Sequence, residues 1–175
     1  MQADDPMREV LADTLLRADA LMTQARDRIQ NLRDASGASV DLAQSLASAW
    51  RDLGGEKDFR ILVEGQTREL KQDAADEIAL IGREALTNAL RHSKAQAIEA
   101  QIFFGDDRLW LSVRDDGVGI DKDLLSARSL AGHWGLSGMQ ERARRVLASL
   151  VISSAPGAGT EIALAVPASS VYRSK

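Results

Sequence analysis

Apolar positions change period along the chain, and each change marks an element. Between residues 7 and 33 they fall at Leu11, Leu15, Ala18, Met22, Ala25, Ile29 and Leu32, in alternating steps of four and three that form an unbroken heptad. Val10 and Leu21 widen the stripe. This predicts one helix about 40 Å long at 1.5 Å per residue. Pro6 stands near its start, where proline is tolerated, and Asp4 and Asp5 lie at the positive end of its dipole. A stripe with this period asks for a partner helix or a second chain, and a bundle helix is preferred to one docked on its own domain.

Residues 34–40 are small and polar and read as a linker. A short helix over 41–51 follows, carrying Trp50, and Gly54-Gly55 breaks it. Phe59 to Glu64 reads as a strand, and Asp73 as the N-cap of a helix over 74–92. Two strands, 97–104 and 108–115, are joined by Gly105-Asp106-Asp107. A glycine-bearing region covers 116–138, a helix 137–148, and two last strands, 150–154 and 160–166, flank Pro156-Gly157-Ala158-Gly159. Neighbouring strands with tight turns, and helices between the pairs, give an α+β layer fold. The domain reading is 1–35 a bundle helix, 36–58 a linker and short helix, 59–168 the main domain and 169–175 a tail.

Composition narrows the chemistry. The chain has 175 residues, 45% hydrophobic and 27% charged, with a net charge of −4, which gives no electrostatic case for nucleic acid. It has no cysteine, so disulfides, thiolate zinc sites and cysteine nucleophiles are excluded together. Two histidines, His92 and His133, do not make a histidine-rich metal site. No apolar run approaches the roughly 18 residues of a membrane span, and residues 1–30 are too charged for a signal peptide.

Candidate chemistry sits at four places. On the helix 74–92, Glu84, Asn88 and His92 are spaced i, i+4, i+8 and share a face beside the apolar stripe Ile78, Ile81, Ala85 and Ala89. A carboxylate and an amide oxygen on successive turns suit a hard cation such as Mg²⁺; a solvated polar face fits the pattern equally well. Asp115-Asp116-Gly117-Val118-Gly119-Ile120 ends a strand. Its alternate glycines permit close backbone approach, and a strand-end carboxylate can accept from an exocyclic amine. A plain turn is the other reading, and the spacing does not fit a calcium loop. Gly132-His133-Trp134-Gly135-Leu136-Ser137-Gly138-Met139 opens a helix, where free N–H groups suit phosphate, yet it matches neither a Walker loop nor the Rossmann fingerprint. Gly157-Ala158-Gly159-Thr160 reads by default as a hairpin turn.

The order of these motifs is more specific than any one of them. A helix asparagine, an Asp-x-Gly-x-Gly turn, a glycine-rich helix start and a Gly-Thr before a final strand resemble the Bergerat ATP-binding fold. Gyrase B, the ninety-kilodalton heat-shock chaperones, mismatch-repair ATPases and sensor histidine kinases share it. Arg83-Glu84-Ala85-Leu86-Thr87-Asn88-Ala89-Leu90-Arg91-His92-Ser93, with Gly135-Leu136-Ser137-Gly138-Met139-Gln140-Glu141-Arg142, resembles the nitrate-sensor and desaturase-sensor branch of bacterial two-component kinases. The likeness is strong over 70–167. Residues 7–33 resemble, more weakly, the second helix of that family's dimerisation and phosphotransfer bundle.

The resemblance implies a two-layer α/β sandwich preceded by a long bundle helix, with ATP and Mg²⁺ as ligands. Asn88 would coordinate Mg²⁺, Glu84 would orient ligands or act as base, and His92 and Lys94 would lie near the phosphates. Asp115 would take the adenine amine in a pocket shaped by Gly117 and Gly119, with Thr160 behind it. Gly135, Leu136 and Gly138 would cradle the phosphates beneath a short lid, 121–134. Asp116 stands where many members have asparagine; its charge either weakens nucleotide binding or faces solvent.

The implied function is transfer of the ATP γ-phosphoryl to a histidine and thence to a response-regulator aspartate, from a cytoplasmic fragment homodimeric through its bundle helix in the full protein. Direct contact with nucleic acid or membrane is not expected of the fragment, and an inner-membrane anchor in the parent is allowed. The alternatives are a nucleotide-driven conformational ATPase, which ordinarily needs a longer chain, and a nucleotide-binding module of the same fold. Neither histidine lies on the heptad helix or beside a carboxylate, so the acceptor is expected upstream of Met1 and autophosphorylation is not expected.

Overall fold

The structure, a computed structural model, describes residues 41–120 and 134–174. They belong to the second of two units into which the chain divides, Ser39–Lys175. The heptad stretch 7–33, the expected linker 34–40 and all of the expected lid 121–134 but Trp134 lie outside the described residues.

Helix α1 spans Leu42–Asp52. Asp41 caps it, its carboxylate accepting from Ala43 N–H at 2.9 Å and Gln44 N–H at 3.2 Å, which satisfies two of the orphan donors of the first turn. Gly54, at φ +70°, stops it. Its buried side, Leu42, Leu46, Ala49 and Trp50, lies on helix α2, Gln72–His92. Contact is close because residue 82 of α2 is glycine: a Cβ there would strike Leu46 Cδ2. Trp50 stacks at 4.8 Å on Phe59 of strand β1, Asp58–Gly65.

The other elements are β2 (Ala97–Phe104), β3 (Arg108–Asp115), α3 (Trp134–Arg145), β4 (Ser149–Ser154), β5 (Thr160–Pro167) and the short α4 (Ala168–Val171). The five strands form one sheet in the order β1-β2-β3-β5-β4. Only β1 and β2 run parallel, joined through α2 as a parallel pair requires; the other pairs are antiparallel. Period-two alternation puts Ile98, Ala100, Ile102, Leu111, Val113, Ile162 and Leu164 on the helix-covered face, all buried. Phe103, Trp110 and Val151 stand exposed on the other. This is the α+β two-layer sandwich expected from the sequence.

Three boundaries differ. Helix α2 starts at Gln72 and is entered through Lys71, so Asp73 is a first-turn acid rather than the N-cap. The cause is the C-terminal segment: Lys71 N–H donates to Val171 O at 2.8 Å and Arg173 N–H to Glu69 O at 3.0 Å. That same segment, read as a tail from the sequence, places Val171 and Tyr172 in the core. Tyr172 donates its hydroxyl to Gly105 O at 3.0 Å, with the Arg68 guanidinium 3.8 Å over its ring. Helix α3 lies three residues upstream of the expected 137–148. It closes through Leu147 in the left-handed region at φ 56°, with Ala148 N–H on Ala143 O at 2.8 Å, so no glycine announces its end. Among the described residues no helix is long and apolar enough to cross a membrane.

Candidate nucleotide site

Strand β3 delivers Asp115 as its last residue, on the helix-covered face and buried. Its Oδ1 accepts from Gly117 N–H at 2.9 Å, so the chain turns immediately beyond the strand. Burial pushes the Asp115 carboxyl above its ordinary value. The N–H groups of Gly117 and Thr160 oppose that rise, the nearby Asp116 charge adds to it, and Lys57 opposes it. Thr160, first in β5, is the direct register partner of Asp115.

The turn after Asp115 is clamped on three sides. Gly117 packs on Ser93, the residue that ends α2, so tightly that a Cβ would meet the Ser93 carbonyl oxygen. Val118 N–H then donates to that same oxygen at 2.7 Å, and Val118 O accepts from Gly157 N–H at 2.7 Å. Gly119, at φ +68°, lies against the Ala155 carbonyl, where any side chain would collide. Both glycines of the Asp-x-Gly-x-Gly turn are thus required by close backbone approach.

Asp116 faces solvent, but it is not idle. Its Oδ1 accepts from Gln96 N–H at 2.8 Å and Ala97 N–H at 3.0 Å, which ties the start of β2 to the end of β3. Those bonds, Ala97 first, hold its carboxyl below the ordinary value. Of the two readings of this position, the structure supports the solvent-facing one and adds a structural role.

Helix α2 carries the other half of the site. Glu84 and Asn88 are half-buried and His92 is exposed at the helix end, a row about 12 Å long at 1.5 Å per residue. At its upstream end Glu84 meets the first turn of α3: a Cβ on Gly135 would fall on Glu84 Oε1. At its downstream end lies the Ser93 corner that receives Gly117. The row therefore joins the α3 N-terminus to the Asp115 turn. Lys94, exposed and left-handed at φ 55°, turns the chain out of α2.

Gly135 and Leu136 sit in the first turn of α3, where N–H groups have no intrahelical partner and can face an anion. Gly138 is different. It is the fifth residue of α3, so the helix ladder takes its N–H, and among the described residues the space beside it is open. A part for it in the phosphate cradle would rest on that space rather than on a free amide. Trp134, read as the end of the lid, begins α3.

For a cation, no three His, Cys, Asp or Glu side chains cluster as a metal site among the described residues. The Asn88 amide oxygen is a hard donor of the type Mg²⁺ accepts alongside waters and phosphate oxygens. Sequence reading overlooked Ser93 and Ser154. Ser154 Oγ lies 2.9 Å from Thr160 Oγ1 and accepts from Ile120 N–H at 2.7 Å. A small hydroxyl residue before a turn carries no signal of its own; only its pairing with Thr160 across β4 and β5 reveals it.

Comparison with known proteins agrees with this fold. Residues 73–170 match the family described as histidine kinase-, DNA gyrase B-, and HSP90-like ATPase. The sensor protein VraS of Staphylococcus aureus (strain COL) is 29% identical over 161 residues, which are 92% of this chain and 43% of VraS. VraS of Staphylococcus epidermidis (strain ATCC 35984) has the same identity and coverage. The chain thus spans less than half the length of these curated relatives. Among solved structures, the histidine kinase domain of the Erythrobacter litoralis EL346 blue-light activated histidine kinase superposes with a TM-score of 0.64 at 21% identity, over 89% of this chain and 83% of that one. The mycobacterial sensor histidine kinase MprB gives 0.55 at 18% identity, over 72% of this chain and 91% of that one. With the family model covering more than half of its residues, this chain belongs to the histidine kinase-, DNA gyrase B- and HSP90-like ATPase family, as an ATP-binding domain of the kind that sensor histidine kinases carry.

Proposed function

We propose that this domain binds ATP and transfers its γ-phosphoryl to a histidine on a dimerised helical bundle, from which a response-regulator aspartate takes it. The observation that carries this is the buried Asp115. It is fixed by Gly117 N–H and paired with Thr160, and its turn is clamped to the end of the helix that bears Asn88.

Asp115 accepts the adenine amine, with Thr160 beside it and the Gly117–Gly119 turn against the base. Asn88 holds Mg²⁺, which when bound neutralises phosphate charge. Glu84 orients ligands or takes a proton, Gly135 and Leu136 present first-turn amides to phosphate, and His92 and Lys94 add positive charge at the exposed end of α2. In the transfer, the bond from the γ-phosphorus to its bridging oxygen breaks as a phosphorus–nitrogen bond forms. ADP leaves with the electron pair, and the imidazole gives up its proton. Such a reaction needs positioning and charge stabilisation more than covalent help. ATP as substrate puts the domain in the cytoplasm. Residues 7–33 are proposed as the dimerising helix, 59–168 as the core of the catalytic domain, and an inner-membrane anchor is proposed for the parent.

Calorimetry with ATP, with and without Mg²⁺, tests the site. Asn88→Ala removes the Mg²⁺-dependent part of the affinity. Asp115→Asn weakens adenine nucleotides by about 10- to 100-fold, the worth of one charge-assisted hydrogen bond. Wild-type affinity in both variants overturns the assignment. Steady ATP hydrolysis without phosphoryl transfer to any bundle histidine favours a conformational ATPase instead.

A further inference from the structure

Three polar side chains stand in a row across the sheet where β3, β4 and β5 meet the site. Asp115 ends β3, Thr160 opens β5 and Ser154 ends β4; the registers pair Asp115 with Thr160 and Thr160 with Ser154. Directly paired residues share a face, so the three are neighbours. Ser154 Oγ makes three polar contacts: Ile120 N–H at 2.7 Å, Gly159 O at 2.8 Å and Thr160 Oγ1 at 2.9 Å.

A hydroxyl has one proton and two lone pairs. The Ile120 amide can only donate and the Gly159 carbonyl can only accept. Ser154 therefore gives its proton to Gly159 O, takes the Ile120 N–H on one lone pair, and takes the Thr160 proton on the other. No other assignment places a proton in each contact; turning the Ser154 proton to Thr160 would leave two bare oxygens facing each other at 2.8 Å. Thr160 Oγ1 then keeps only lone pairs for a ligand. Its neighbour Asp115, as a carboxylate, also only accepts.

We propose that Ser154 is a positioning residue that sets the base specificity of the nucleotide site. By taking the Thr160 proton it makes the Asp115–Thr160 pair a purely accepting edge, which welcomes the 6-amino group of a purine and repels a 6-oxo group. The inference rests on the reading of Asp115 as the base-recognising residue. It adds a discriminating role to a residue that touches no nucleotide itself.

The test compares ATP with inosine triphosphate, whose 6-oxo group and protonated N1 replace the 6-amino pattern, by calorimetry on the full chain. Wild type prefers ATP. Ser154→Ala frees the Thr160 proton to turn toward the base, and the ATP-over-inosine preference falls about tenfold, the net worth of roughly one hydrogen bond. Ser154→Thr keeps the hydroxyl and restores the preference. In Thr160→Val the preference no longer responds to adding Ser154→Ala. Ser154→Cys, similar in size and weak in hydrogen bonding, carries the same test should alanine unfold the domain. An unchanged preference in Ser154→Ala or Ser154→Cys, with ATP still bound, overturns the inference. So does an equal loss of both nucleotides that threonine does not rescue, because that is a purely structural role. Failure of wild type to bind ATP, or to distinguish the two bases, counts instead against the underlying reading of Asp115.

Discussion

Glu84 and Gly135 meet so closely across α2 and α3 that a methyl group on residue 135 would occupy the place of Glu84 Oε1. The contact sets a carboxylate against the positive end of α3, whose own first turn contains no acid. It also joins the helix that carries Asn88 to the helix start proposed for the phosphates.

Gly135→Ala tests what that contact does. The atom in the way is the far end of a flexible side chain, so the expected stability loss stays within about 1 kcal/mol. The consequence falls on Glu84, which must leave the α3 first turn. Nucleotide affinity and phosphoryl transfer then drop as they do in Glu84→Gln, and the double variant is no worse than either single one. Additive losses in the double variant show that Glu84 does not act from this position.

Gly117 and Gly138 make a matched pair with opposite outcomes. A Cβ on Gly117 meets backbone, the Ser93 carbonyl, which cannot swing aside. Gly117→Ala is expected to cost about 2 kcal/mol or more in urea unfolding, within the range for overpacking. Gly138 sits inside a helix with no described residue within 4 Å of an added Cβ. Gly138→Ala is expected to stabilise by about 0.5–1 kcal/mol through helix propensity, with nucleotide affinity unchanged. A large affinity loss in Gly138→Ala would place this glycine in the phosphate cradle.

Asp115 and Asp116 are adjacent carboxylates with opposite pH signatures. Burial raises the Asp115 value above the ordinary 3.8. Its protonated form therefore favours the fold, and that contribution is full below 3.8 and lost as pH rises through the raised folded value. Asp115→Asn removes this loss. Relative to wild type, the variant becomes more stable as pH is raised through the window, while its adenine affinity falls. The amides of Ala97 and Gln96 lower the Asp116 value, so its contribution is present above the ordinary carboxyl value and lost as pH falls through the folded one. Asp116→Ala consequently loses ground to wild type as pH rises. Unfolding free energies of the three proteins across this range check both signs, and parallel curves contradict the assignment.

Much of this was legible in the sequence because it is periodic or punctuated. Alternation along 97–104 and 108–115 marks β2 and β3, and the spacing of Ile78, Ile81, Ala85 and Ala89 marks the buried side of α2. Asp115, Gly117 and Gly119 stand out because a strand-end carboxylate followed by alternating glycines is chemically conspicuous. What was not legible depends on partners distant in the chain. Lys71 enters α2 because Val171 receives its N–H, a pairing across a hundred residues. Tyr172 is buried because the β2–β3 turn offers it the Gly105 carbonyl. Helix α3 ends at a left-handed leucine rather than a glycine, so its boundary has no local signature. Ser93 and Ser154 act through single atoms on residues brought near only by the sheet.

The chain is expected to bind ATP without phosphorylating itself. An acceptor imidazole needs an exposed position on a bundle helix, in line with the γ-phosphorus, and a neighbour that takes its proton. The sequence has two histidines, and neither is next to an acid: His92 lies between Arg91 and Ser93, His133 between Gly132 and Trp134. His92 is the last residue of α2, the helix that carries Asn88, and is proposed for the nucleotide site rather than for a partner bundle. The measurement is incubation with γ-labelled ATP and Mg²⁺, followed by acid and base treatment of any labelled protein. No stoichiometric label is expected on this chain alone. Added in trans, a bundle helix with a histidine next to a carboxylate should acquire acid-labile, base-stable phosphate, provided it pairs with residues 7–33. Asn88→Ala should abolish that transfer. Stoichiometric phosphohistidine at His92 or His133 would falsify this account, because the acceptor would then lie within the ATP-binding domain itself.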